Sequence, residues 1–206
     1  KNKMNSNRKT AIIVGILFLF STITFMIGSN LIQSFFIDQN PNTTLLIIAV
    51  LLEISCGVAV VGIGLLMFPI LKNFNKNLAQ GYVIFRIIEC LTIIIGGIYL
   101  LSLLKLMWNY EMIIFIFTGL GGLIFSYLLY QSKLIPRYLS VLGIIGYAIL
   151  LLGVLLDMMR YVDITTGAGM LLYLPGGLFE LFLPIWLFVK GFNEYTIDSE
   201  SVNRSK

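Results

Sequence analysis

Four ionisable side chains interrupt stretches of the sequence that are otherwise almost entirely apolar. They are Glu53, Arg86, Glu89 and Glu180. A charge at the centre of a bilayer costs about 2.5–3.5 kcal/mol on insertion scales, so each needs a compensating interaction or a function. Buried carboxylates can exchange protons or bind cations, and an arginine can neutralise one of them. We therefore take these four residues as the candidate polar network of the chain.

The spacing of Arg86 and Glu89 predicts a pair, because residues three apart share one face of a helix. One arginine cannot neutralise three acids, and burial favours the neutral form of a carboxyl group. We therefore expect at least one of Glu53, Glu89 and Glu180 to be protonated at neutral pH. Two interpretations stay open. One is a proton-linked or cation-binding site, and the simpler one is an Arg86-centred network that fixes the register of the helices.

Each acid lies on a helical face that also holds small residues, which favours burial against other helices rather than against lipid. The residues that share these faces are Ala49, Cys56, Gly57 and Gly64 for Glu53; Tyr82, Ile93 and Gly96 for Arg86 and Glu89; and Tyr173, Gly176, Gly177 and Pro184 for Glu180. Tyr82 and Tyr173 each precede an acid by seven positions. This match suggests two inverted three-helix halves with a site at the midplane.

Other kinds of chemistry lack their usual residues. The chain contains no histidine, which excludes Ser-His catalysis, HExxH zinc sites and histidine-ligated haem. No phosphate-binding loop or dinucleotide-binding motif is present. Cys56 and Cys90 lie inside apolar runs and are expected to be packing residues. We assign no catalytic residue, metal ligand or cofactor, and we favour a non-catalytic protein without excluding an enzyme.

The elements that must position the network are six long apolar stretches. Of the 206 residues, 58% are hydrophobic and 12% are charged, against roughly 45–50% and 25% in soluble domains. A spanning helix needs about 20 apolar residues, and a lipid core requires backbone hydrogen bonds that close within the segment. The sequence thus predicts an all-α bundle of six transmembrane helices. The stretches are Ala11–Ile37, Thr44–Leu71, Ala79–Leu104, Tyr110–Tyr130, Tyr138–Leu156 and Gly169–Val189.

The distribution of lysine and arginine predicts the orientation of the bundle. Eleven of the 14 basic residues lie on the side of the two termini. The opposite side carries only Lys105 and Arg160, and Arg86 lies within a helix. Basic residues concentrate in the cytoplasm, so we expect a multi-pass protein of the cell membrane with both termini cytoplasmic. The predicted parts are a basic N-terminus (residues 1–10), a membrane domain (11–190) and a tail (191–206).

Three stretches of this sequence carry a resemblance to a known family. They are Pro69–Lys72 with Leu78–Glu89, then Tyr130–Gly146, and finally Pro175 and Glu180 with Trp186–Phe192. In these stretches the chain resembles the bacterial membrane family called domain of unknown function 4386. The resemblance implies a polytopic bacterial membrane protein and supplies no activity. It places Arg86, Glu89 and Glu180 within the pattern of the family. Tyr82, Tyr173, Lys190 and Arg137 are secondary candidate site residues.

Three hypotheses for function remain. The first is a non-catalytic protein that binds a partner membrane protein or an apolar small molecule within the bilayer. The second is a small permease coupled to protons or cations, which would use the buried carboxylates. The third is a membrane-embedded enzyme that modifies lipid. The lipid bilayer is the expected surrounding in every case, and no basic domain for nucleic acid is present. A water-accessible path to Glu89 or Glu180 would favour the permease.

Overall fold

The computed structural model describes residues 2–38, 42–105, 110–164 and 167–193, with side chains from residue 7 onward. Three of the basic residues from which the orientation is predicted lie outside this range, namely Lys1, Arg204 and Lys206. The side chain of Lys3 and most of the predicted tail also lie outside it.

The described chain forms six α-helices and no strand. They are α1 (Asn2–Ile37), α2 (Thr43–Leu71), α3 (Lys76–Leu103), α4 (Tyr110–Ser132), α5 (Arg137–Met158) and α6 (Leu174–Val189). Six helical segments in this part of the chain are long and apolar enough to cross a membrane. The prediction of an all-α bundle with six membrane-length helices is therefore confirmed.

The last membrane segment differs from the prediction at its start. Gly169–Val189 was expected to be one α-helix, but Gly167–Tyr173 forms a 3-10 helix and α6 begins at Leu174. Pro175 explains the boundary, because proline has no N–H for the helical ladder and its ring clashes with the preceding turn. Proline is tolerated in the first turn of an α-helix, where its N–H would have no partner anyway. The two helical segments together still have the length of a membrane span.

The six helices are arranged as a ring. Each helix packs against its neighbours in sequence, and α1 also packs against α6, which closes the ring. The centre is filled by side chains. Tyr82 of α3 stacks on Phe125 of α4 with ring centroids 4.9 Å apart, and Phe125 stacks on Phe18 of α1 at 5.7 Å. These aromatic residues belong to the largest buried cluster of the molecule.

Glycines allow some helices to approach until their backbones touch. A Cβ atom at Gly146 of α5 would lie 2.5 Å from the backbone nitrogen of Gly176 in α6. Any larger residue at Gly146 would force the two helices apart. This contact lies one turn from Glu180, so it fixes the position of that carboxylate relative to α5.

Candidate functional site

Arg86 and Glu89 form an ion pair inside the bundle. Nη1 of Arg86 donates to Oε2 of Glu89 at 2.7 Å, and Oγ1 of Thr118 on α4 donates to Oε1 at 2.7 Å. The relative accessibilities of Arg86 and Glu89 are 3% and 4%. The predicted pairing of these two residues is confirmed. Both oxygens of Glu89 therefore accept hydrogen bonds, and one of these bonds comes from the guanidinium of Arg86.

The space for the Arg86 side chain comes from glycines on the two adjacent helices. Its aliphatic stem packs against Gly64 of α2, and its guanidinium lies against Gly121 of α4. The guanidinium is also 5.3 Å from the ring centroid of Tyr82, a distance at which cation and aromatic ring attract each other. Arg86 is thus held by contacts on α2, α3 and α4, which suits a residue that fixes helix register.

Glu180 lies where the ring of helices closes. Its Oε1 accepts a hydrogen bond from the hydroxyl of Tyr147 on α5 at 2.9 Å, and its Oε2 accepts one from Thr22 on α1 at 3.1 Å. It is half-buried, whereas Tyr147 is almost completely buried. Arg86 interacts electrostatically with Glu180 while donating its hydrogen bond to Glu89. Hydroxyl groups are therefore the direct hydrogen-bond partners of Glu180 within the described chain.

Glu53 lies apart from Glu89 and Glu180, beside the N-terminal end of α4. The hydroxyl of Tyr110 donates to its Oε2 at 2.7 Å. The ring of Tyr110 occupies the space where Gly96 of α3 lacks a side chain. The acid is only 4% accessible. The structure therefore joins Arg86 and Glu89 directly, places Glu180 nearby, and gives Glu53 a separate hydrogen bond.

A family comparison covers most of the chain. The model described as Domain of unknown function (DUF4386) matches residues 13–111 and 100–191. The chain belongs to this family. The resemblance noted in the sequence is thereby confirmed. The chain matches no curated protein and no solved structure, so the comparisons give this DUF4386 protein a family and no activity.

Four buried polar atoms of the DUF4386 protein have no hydrogen-bond partner within the described chain. They are the hydroxyls of Tyr82, Ser126 and Ser140 and Nε of Arg86. Tyr82 and Arg86 face each other on α3, and Ser126 of α4 lies against Gly143 of α5. Buried polar groups normally find partners.

The secondary candidates lie in different places. Tyr82 adjoins the Arg86–Glu89 pair. Tyr173 instead packs on Phe115 at 5.0 Å, before α6 begins. Arg137 and Lys190 line a cleft at the end of the bundle, away from the pair. Among the described residues of this DUF4386 protein, no three histidine, cysteine or acidic side chains lie close enough to hold a metal ion.

Two features were not predicted from the sequence. One is the set of hydroxyl residues that donate hydrogen bonds to the acids, and the other is the contact made by Arg8. The hydroxyl residues are Thr22, Tyr110, Thr118 and Tyr147. Arg8 was counted only as a basic residue of the N-terminus, yet its guanidinium donates to the carbonyls of Leu187 and Phe188 at the end of α6. A polar residue inside an apolar helix is the signal that could have identified the hydroxyls, but it does not specify the partner helix.

Proposed function

We propose that this DUF4386 protein is a small proton-coupled permease in which Glu180 carries the exchanging proton. Its fold supplies the setting, because six membrane-length helices close into a ring whose largely apolar core contains a few ionisable side chains. Ionisable residues within membrane spans commonly mark ion pathways and proton relays. The proposal identifies Glu180 as the group that couples transport to protons. It does not identify the transported substrate.

The hydrogen bonding of Glu180 carries the proposal. Thr22 and Tyr147 are its partners, and a hydroxyl can either donate or accept a hydrogen bond. The carboxyl group can therefore gain or lose a proton while both contacts persist. Glu89 differs, because it is bonded to a guanidinium, which has no acceptor and stays charged.

Access to Glu180 also supports the proposal. The residue is half-buried, while Glu53 and Glu89 are almost completely buried. A Cβ atom added at Gly177, three residues before Glu180, would meet nothing within 4 Å. The surface of α6 beside the turn that precedes the carboxylate is therefore uncovered. A proton path from that surface to Glu180 is part of the proposal.

The test is infrared difference spectroscopy of the full chain in lipid nanodiscs, between mildly acidic and mildly alkaline pH. We expect a carboxylic-acid C=O band that disappears on alkalinisation, shifts rapidly in heavy water, and is missing from Glu180→Gln. The matched control is Glu53→Gln, which should retain the band. A wild-type spectrum without a titrating carboxyl band, or a Glu180→Gln spectrum that retains every titrating band of the wild type, would overturn the proposal.

Coupling is tested separately in proteoliposomes that contain a pH-sensitive dye. We expect wild-type protein to admit protons in response to a pH gradient when a mixture of small metabolites is present on one side. Glu180→Gln should abolish this signal and Glu53→Gln should preserve it. Proton exchange at Glu180 without any such flux would contradict the permease and leave Glu180 as a titrating group of a binding protein.

A second candidate function is the non-catalytic protein that binds an apolar molecule. An apolar groove of about 440 Å³ between α2 and α3 favours it, with Leu65, Phe68, Val83 and Ile84 among the lining residues. Leu65 and Ile84 are more than half exposed within membrane spans, so a lipid acyl chain is the occupant expected there. Val83→Trp should fill the groove and reduce the binding of a spin-labelled acyl chain. Equal binding by the variant would contradict this second candidate.

A further inference from the structure

We propose that a cleft at the end of the bundle, between the α4–α5 turn and the segment after α6, binds a phosphate group. The cleft has a volume of about 530 Å³. It lies away from the Arg86–Glu89 pair and from Glu180, so the inference is independent of the proposed permease activity. A glycerophospholipid headgroup and a free phosphate compound share the chemistry that the cleft recognises.

The charge of the cleft points to an anion. Lys133 and Arg137 line one wall and Lys190 lines the other. None of the described residues that line the cleft is acidic. The guanidinium of Arg137 is 5.3 Å from the ring centroid of Tyr130, a contact that restrains its orientation. Charge-assisted hydrogen bonds from lysine and arginine are the strongest interactions that proteins offer to phosphate oxygens.

The backbone gives the cleft a defined shape. The amide of Asn193 donates to the carbonyl of Leu134 at 2.9 Å, which ties the segment after α6 to the α4–α5 turn. Lys133 and Gly191 have left-handed backbone conformations, with φ values of 52° and 74°. These two residues turn the chain sharply at the ends of α4 and α6. The basic side chains thus project from two turns that are hydrogen-bonded to each other.

The helix ends add to the positive potential. The first amides of α5, which starts at Arg137, donate no hydrogen bond to a capping side chain, and the start of a helix attracts anions. The end of α6 would have the opposite effect. However, Arg8 donates to the carbonyls of Leu187 and Phe188 there, which offsets their negative dipole. The start of α5 therefore favours an anion in the cleft. The negative dipole at the end of α6 is offset by Arg8 and opposes the anion less.

The position of the cleft suits a phosphate at a membrane surface. Trp186 forms part of its wall and is half-buried, and tryptophan favours the interface between lipid and water. Ile185 and Val189 of the same helix are 54% and 66% exposed, which presents apolar surface to acyl chains. A phospholipid could therefore place its phosphate in the cleft and its chains along α6. Basic pockets at helix ends commonly bind lipid headgroups.

The experiment uses Trp186 as the reporter. The chain has two tryptophans, so Trp108→Phe leaves Trp186 as the single fluorophore. The full chain in detergent is titrated with short-chain phosphatidylglycerol, short-chain phosphatidylcholine, glycerol phosphate and inorganic phosphate. Retention of the same lipids in native mass spectrometry provides a second readout that does not depend on fluorescence.

The test variant is the pair Lys133→Gln with Lys190→Gln, and the matched control is Lys72→Gln with Lys76→Gln. Both pairs remove two exposed lysines from the same predicted side of the membrane. We expect the cleft pair to weaken binding of phosphatidylglycerol roughly tenfold, which corresponds to about 1.4 kcal/mol, and the control pair to leave it nearly unchanged.

The outcomes separate the sources of the phosphate. Binding that requires acyl chains supports a lipid ligand, and saturable binding of glycerol phosphate or inorganic phosphate supports a soluble one. Preference for phosphatidylglycerol over phosphatidylcholine supports recognition of net negative charge. Equal weakening by the two lysine pairs would overturn the proposal, because general surface charge would then explain the binding. Absence of saturable binding for all four probes in both readouts would also overturn it.

Discussion

The hydroxyl of Tyr110 donates to Oε2 of Glu53 at 2.7 Å and thereby links α4 to α2. These helices make few contacts, because α3 lies between them in the ring. The link passes over Gly96 of α3, where the tyrosine ring fills the place of a side chain. Tyr147 follows the same pattern, since its ring lies over Gly122 of α4 while its hydroxyl reaches Glu180. Glu53 and Glu180 thus each accept a hydrogen bond from a tyrosine whose ring lies over a glycine.

Replacing the first of these glycines should destabilise the protein. A Cβ atom at Gly96 would lie 2.0 Å from Cε2 of Tyr110, and the ring is enclosed by the bundle. We expect Gly96→Ala to displace Tyr110 from Glu53 and to lower the free energy of unfolding by about 1–3 kcal/mol, the usual cost of overpacking a core. Reversible unfolding of the purified protein in mixed micelles measures this loss.

Gly177→Ala is the matched control for that variant. It adds the same methyl group to another membrane helix, at a position where the new atom meets nothing within 4 Å. Alanine also has the higher helix propensity. We expect its free energy of unfolding to equal or exceed that of the wild type. A loss as large as that of Gly96→Ala would show that the contact with Tyr110 is not the cause.

Removing one member of the Arg86–Glu89 pair should cost far more than removing both. Arg86→Leu leaves a buried carboxylate whose remaining hydrogen bond comes from Thr118. Breaking a buried pair by deleting one partner typically costs about 3–5 kcal/mol, whereas replacement of both partners by apolar residues is often near neutral. We therefore expect Arg86→Leu with Glu89→Leu to be more stable than Arg86→Leu alone, as measured by unfolding in mixed micelles.

A double-mutant cycle makes that expectation quantitative, because it isolates the coupling between the two residues. Thr118→Val provides the reference, since it removes only the neutral hydrogen bond to Glu89. Such bonds contribute about 0.6 kcal/mol on average in membrane proteins. Additive losses for Arg86→Leu and Glu89→Leu would contradict a structural ion pair and would favour separate roles for the two side chains.

The sequence was sufficient for the six helices and for the Arg86–Glu89 pair, because both depend on local spacing. Hydropathy and length identify a span, and a separation of three places two residues on one helical face. The partners of Glu53 and Glu180 depend instead on contacts between helices. Tyr110 is 57 residues from Glu53, and Thr22 is 158 from Glu180. No periodicity within one helix specifies such pairs.

The contacts of Arg8 also could not be predicted from the pattern of a single helix. The excess of basic residues near the N-terminus predicts a cytoplasmic side, and Arg8 contributes to that count. Its hydrogen bonds to the end of α6 follow from the closure of the ring, which brings the first helix beside the last. The 3-10 start of the last segment was missed for another reason, since hydropathy does not distinguish one helix type from another.

Arg8→Gln should loosen the junction between α1 and α6. The guanidinium occupies carbonyls that have no partner within their own helix, and hydrogen bonds from charged groups contribute about 1.5–3 kcal/mol. We expect faster hydrogen exchange at the end of α6, from Leu187 to Phe192, with little change in the remaining helices. Lys9→Gln removes the same charge from an exposed neighbour and should not alter exchange there. Equal effects of the two variants would assign the change to charge alone.

The orientation of the bundle is tested by cysteine labelling of intact cells. In a background of Cys56→Ala and Cys90→Ala, a reagent that cannot cross the membrane should label Lys105→Cys in intact cells. Lys133→Cys should react only after the cells are opened. The expectation follows from the concentration of basic residues on the side of Lys133. The reverse pattern would mean that the orientation is the opposite of the predicted one. The basic cleft would then face the outer leaflet, and its phosphate ligand would be a lipid of that leaflet or a compound outside the cell.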